Sequence, residues 1–102
     1  GAMLETWVVM EIVKSYLNNG MRPPLYFYRD RDKREIDLLI VRDGKIYPVE
    51  IKKTASPGKK DIRHFKIMKK SKLTPGHGVI ICLLEKAMPI SEDVTAVPVG
   101  IL

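Results

Sequence analysis

Residues 35–53 read EIDLLIVRDGKIYPVEIKK, and this stretch decides the fold. Two runs rich in Ile, Leu and Val flank Arg42-Asp43-Gly44-Lys45. Asp-Gly between apolar runs is a strong signal for a two-residue hairpin loop. With Asp43-Gly44 as the loop, Arg42 faces Lys45, and each further pair steps outward by one residue on both strands. Asp37 then falls opposite Glu50, and Glu35 opposite Lys52.

Side chains alternate faces along a strand. Glu35, Asp37, Glu50 and Lys52 therefore share one face, and Ile36, Leu38, Ile40, Val49 and Ile51 the other. Like charges placed directly opposite destabilise a sheet, so Asp37 against Glu50 calls for a positive charge. Lys52 is one candidate. A divalent metal is another, because Mg²⁺ takes one or two carboxylates plus waters. Two readings are open: a site, or a solvated face carrying a charge mosaic on which Leu39 and Pro48 also lie.

Working outward, residues 3–18 show helical periodicity, with a C-terminal cap at residues 18–20. Glu5 lies within the stripe formed by Val8, Val9, Ile12, Val13 and Tyr16. An unpaired buried carboxylate is costly, so Glu5 either faces a polar site or frays outward in the first turn, where it favours the helix dipole. Glu11 projects off the stripe near Lys14. Trp7, Met10 and Leu17 form an apolar outer flank, which points to a covering surface: the rest of a longer chain, a second subunit or another protein.

LYFYRD (25–30) is an aromatic strand followed by a charged turn. TASPGKK (54–60) leads to an expected second helix over residues 59–71, with Ile62, Phe65 and Met68 as its apolar stripe. VIICLL (79–84) reads as a central strand. VTAVPVGIL (94–102) reads as a Pro-containing edge strand. The expected order is α-β-β-β-α-β-β.

The 102 residues fit one domain, with 45% hydrophobic and 29% charged residues. GAM at residues 1–3 reads in part as a cloning remnant, and the chain as a C-terminal piece of a longer protein. A net charge of +6 favours polyanionic partners. The lone Cys82 excludes an intrachain disulfide and reads as a buried thiol. No apolar run reaches membrane-spanning length and nothing reads as a signal peptide, so a cytoplasmic setting is expected.

An acid on a first helix, an acid early in the second strand and acid-x-Lys on the third resemble the PD-(D/E)XK nuclease superfamily. Here these are Glu5, Asp37 and Glu50-Ile51-Lys52. More closely, LETWVVMEIVKSY (4–16), YFYRDRDKREIDLLIVRDGKIYPVEIKK (26–53) and DIRHFKIMKK (61–70) resemble the C-terminal domain of bacterial and archaeal AAA-superfamily ATPases. The resemblance implies an α/β fold with a restriction-endonuclease-like core, a mixed central sheet flanked by helices. It also implies an ATPase domain N-terminal to this one. No Gly-rich phosphate loop ending in Lys-Ser/Thr occurs here, and TPGHG (74–78) has the wrong spacing and lacks the lysine.

The same resemblance makes Glu5, Asp37, Glu50 and Lys52 catalytic, and makes Asp37, Glu50 and the Ile51 carbonyl ligands of Mg²⁺ or Mn²⁺. Lys52 would orient the attacking water and stabilise developing charge. His64 and His77 match no part of the pattern and read as surface residues.

Half of all basic residues fall within residues 52–72, where Asp61 is the only acid. Lys53, Lys59, Lys60 and Arg63 are the candidate phosphate contacts, with DNA the favoured polyanion. The bland alternative is a solvated lysine-rich face. No aromatic residue interleaves there beyond Phe65, so base stacking is not indicated from this segment.

Overall fold

A computed structural model of the chain describes residues 2–102. Gly1, the first residue of the GAM segment, lies outside the described residues, while Ala2 and Met3 belong to the first turn of helix α1 (Ala2–Asn18). The helix stops where the sequence asks it to. Gly20 takes φ +69°, and the N–H groups of Gly20 and Met21 donate to Leu17 O (3.0 Å) and Tyr16 O (2.9 Å). These bonds satisfy carbonyls that the last turn would otherwise leave unpaired.

Strand β1 (Leu25–Arg29) leads through a charged turn into β2 (Glu35–Arg42) and β3 (Lys45–Ile51). Asp30 organises that turn. Its carboxylate accepts from the N–H groups of Asp32 and Arg34, from Arg34 Nε at 2.8 Å and from the Tyr28 hydroxyl. The β2–β3 hairpin closes on Asp43 (φ +53°) and Gly44 (φ +76°), and two successive positive φ values match the twist of the flanking strands. Its pairing runs from Arg42↔Lys45 to Leu38↔Val49, the register expected from the loop.

On its other side β3 pairs parallel with β5 (Gly78–Cys82) and with the two-residue strand β4 (Thr74–Pro75). β7 (Val94–Pro98) pairs parallel with β5, and β6 (Met88–Ser91) antiparallel with β7. The result is an α/β fold with a mixed seven-stranded sheet in the order β1-β2-β3-β5-β7-β6, β4 lying beside β3. Residues 94–102 were expected to form an edge strand, but β7 is internal and β6 forms the edge. Proline is tolerated because Pro98 closes β7 and Pro89 sits on the outer strand β6.

A second correction concerns residues 59–71. They form two 3-10 segments, Lys59–Ile62 and Phe65–Lys70, instead of one α-helix. The reason is visible in the stripe itself. Ile62, Phe65 and Met68 recur every three residues, the period at which 3-10 side chains align, whereas an α-helix turns every 3.6. Phe65, Ile67 and Met68 are buried, so the segment still covers one sheet face.

The sheet thus separates two cores. Val8 of α1 packs with Leu38, Val49, Ile51 and Ile81 on one face. The 3-10 residues pack with Leu39, Ile46, Ile80, Val94 and Ala96 on the other, where Cys82 is fully buried. Ile36 was expected beside Leu38, yet it joins the 3-10 core. A β-bulge accounts for this. Tyr26 pairs with Leu39 and Tyr28 with Ile36, so Phe27 alone stands opposite both Asp37 and Leu38. The extra residue reverses the facing of the strand before it.

Candidate functional site

The bulge falls on Asp37, which is half-buried at the point where the β2–β3 ladder opens. Beyond Leu38↔Val49, carboxylates take over the bonding. The Asp37 N–H donates to Glu50 Oε1 at 3.3 Å, and the Ile51 N–H donates to Asp37 Oδ2 at 2.8 Å. Each acid therefore accepts from the opposite strand, and the two carboxyl groups are held together by backbone.

Glu50 is 7% exposed and is the one buried charged residue among those described. Burial, and next the negative charge of Asp37, push its carboxyl from the usual 4.5 up to about 7. Lys52 Nζ stands 3.7 Å from Glu50 Oε2 and pulls the other way. That lysine is half-exposed, so its pull does not cancel the other two effects.

The pair opens onto a polar cavity of about 330 Å³ that is also lined by Lys52, Lys60, Asp61 and Arg63. Lys53 and Lys59 do not line it. Lys33 and His64 do, and neither was expected. Lys33 takes φ +59° in the Asp30 turn, which carries it to the cavity. His64 is half-buried at the joint between the two 3-10 segments, with Nδ1 3.1 Å from the Glu35 carbonyl. His77 is the exposed residue expected, 2.8 Å from Thr95 Oγ1.

A second groove, of about 410 Å³, lies on the helix side and is mostly apolar. Val9, Met10, Phe27 and Ile51 line it, with Glu5 from the first turn of α1. Glu5 is exposed, and it reaches the rim of the groove that Asp37 also lines. Glu35 and Asp37 line both cavities. Glu35 pairs with Arg29 at 3.1 Å instead of facing Lys52, because the bulge displaces it from the expected register.

The donor set fits a hard cation. Two adjoining carboxylates, one buried with its proton affinity raised, form the anionic cluster that a divalent ion would relieve. Among the described residues no third Asp, Glu, His or Cys completes a metal cluster. The donors thus suit a mostly hydrated ion such as Mg²⁺ better than a closed protein shell.

Trp7, Met10 and Leu17 are exposed on α1 at 47%, 49% and 59%. Glu11 pairs with Lys14 at 3.4 Å. No described helix is long and apolar enough to cross a membrane. No curated protein and no solved structure matches the chain. Over residues 1–102 it matches the family described as domain of unknown function DUF4143, and the chain belongs to that family.

Proposed function

We propose that this is a PD-(D/E)XK nuclease-like domain with a restriction-endonuclease-like core, which binds DNA and hydrolyses its phosphodiester bonds with a divalent metal. The observation that carries the reading is the joining of Asp37 and Glu50 through each other's strands, with Lys52 at 3.7 Å and with Lys33, Lys60 and Arg63 lining the polar cavity in front. Asp37, Glu50 and the Ile51 carbonyl would hold Mg²⁺ or Mn²⁺, with Glu5 approaching from the helix. The ion supplies Lewis-acid neutralisation of phosphate charge.

The chain's own residues do the rest. Lys60 and Arg63 hold the phosphodiester backbone by charge. Lys52 orients the attacking water and stabilises charge developing on the phosphoryl oxygens. Its ammonium is already drawn towards the site by Glu50, so little reorganisation is required. The resemblance of residues 4–16, 26–53 and 61–70 to the C-terminal domain of AAA-superfamily ATPases supports a parent chain of that kind.

The deciding experiment uses protein stripped of metal with EDTA. Mg²⁺ or Mn²⁺ should raise the melting temperature and support cleavage of plasmid or branched DNA. Both effects should disappear in Asp37→Asn, and cleavage alone in Lys52→Ala. A protein whose stability ignores both metals, and which leaves every DNA form intact, has no such catalysis.

A second reading is a non-catalytic interaction or regulatory domain of the same ATPase. The exposed Trp7, Met10 and Leu17 favour it, since an apolar helix flank suits the ATPase domain, a second copy or another protein.

A further inference from the structure

The two cavities have opposite chemistry and meet at the same residues. The polar one presents Lys52, Lys60 and Arg63, and the apolar one presents Met10 and Phe27. Glu35 and Asp37 line both. A single nucleotide has the same division, with an anionic phosphate at one end and an apolar, flat base at the other. Phe27 is 73% exposed and lies on β1, an edge strand paired only with β2. The bulge sets it directly opposite Asp37 and Leu38, so an open aromatic face and the acidic pair occupy the same level of the sheet.

We infer that the site takes single-stranded DNA, with a phosphate held by Lys52, Lys60 and Arg63 in the polar cavity and the adjoining base lying against Phe27. This inference deepens the nuclease reading and rests on it for the phosphate side. In a duplex each base is covered above and below by its neighbours and paired along its edge. It cannot reach a side groove without leaving the stack. An unpaired base has both faces free, and aromatic side chains bind such faces with little regard to sequence. The groove volume of about 410 Å³ lies in the range of small-molecule pockets.

The test is a binding titration in EDTA, so that cleavage plays no part. A fluorescein-labelled oligothymidylate is compared with the same strand annealed to oligoadenylate. The single strand should bind at least about tenfold more tightly. Phe27→Ala and Phe27→Leu should each weaken single-strand binding about tenfold and leave duplex binding unchanged, while Phe27→Trp should preserve it. Lys60→Ala should weaken both forms alike, because phosphates are common to them.

Equal binding of single strand and duplex overturns the inference. So does single-strand binding that ignores Phe27→Ala, a result that leaves the groove to another occupant, such as an apolar side chain of a protein partner. The nuclease reading is judged separately. Cleavage with no single-strand preference overturns only the base site, and a Phe27-dependent preference without cleavage overturns only the chemistry.

Discussion

Asp37 and Glu50 each hold the other's strand: the Glu50 carboxylate accepts the Asp37 N–H, and the Asp37 carboxylate accepts the N–H of Ile51. The acids are therefore structural as well as chemical, and the two roles separate by substitution. Asp37→Asn keeps an oxygen for the Ile51 N–H and removes the charge. Asp37→Ala strands that N–H beside a 3%-exposed side chain and should cost about 1–3 kcal/mol. Chemical denaturation should show the alanine variant destabilised and the asparagine variant close to wild type, with neither cleaving DNA.

Glu50 predicts a pH dependence of stability. Its carboxyl is raised in the fold from 4.5 to about 7, first by burial and then by Asp37. The fold thus favours the protonated form. The stabilisation from that proton is complete below pH 4.5 and is lost as pH rises through 7. The difference is at most about 3 kcal/mol. Glu50→Gln should gain stability over wild type at pH 8, and the gain should shrink to nothing below pH 4.5 in urea titrations. A gain equal at both pH values would point away from the buried charge.

Protons and metal compete for the same carboxylate, so metal-linked stabilisation should grow with pH. Added to EDTA-stripped protein at a hundredfold excess over its Kd, Mg²⁺ should stabilise by about 2.7 kcal/mol. At one fixed Mg²⁺ concentration the melting shift should be larger at pH 8 than at pH 6, and absent in Asp37→Asn. Removing the ion with EDTA should reverse it.

The basic segment divides into residues that line the polar cavity and residues that do not. Lys60→Ala and Arg63→Ala should each reduce the slope of log affinity against log salt by about 1. Lys53→Ala and Lys59→Ala should change it less, since neither lines the cavity. Equal effects at all four positions would indicate a diffuse field and no defined phosphate track.

Gly78 tests how the 3-10 cover is seated. A Cβ added there would lie 2.8 Å from the Phe65 ring and 3.2 Å from Val94. Phe65 is buried beneath the segment that carries Lys66 and Lys69, so relief by movement is limited. Gly78→Ala should cost about 1–3 kcal/mol by overpacking, read from the denaturation midpoint.

The hairpin was legible because its cues are local: alternation by two, and Asp-Gly where both φ values must be positive. The opposition of Asp37 and Glu50 followed from that register. What eluded the sequence depends on pairing with distant strands. The bulge exists only against β1, so Glu35 and Ile36 could not be placed by counting from the turn. His64 meets the site through the Glu35 carbonyl, 29 residues away. Phe27 reads as one aromatic in a strand until the sheet sets it across from Asp37. Residues 59–71 did carry a signal, since Ile62, Phe65 and Met68 repeat every three residues where a helix alternates three and four.

The loop at Asp43-Gly44 also governs which mutations the domain can absorb. Twelve residues separate the two acids along the chain (38–49), folded back on themselves by that turn. Substitutions on the exposed positions of this span leave the acids where they are. A single-residue insertion or deletion within either strand does not, because slipping the pairing by one exchanges the two faces. Asp37 and Glu50 would then part company while the hairpin still formed. Length within residues 38–49 is therefore held more tightly than side-chain identity, and a chain one residue longer or shorter there would keep its hairpin and lose its paired acids.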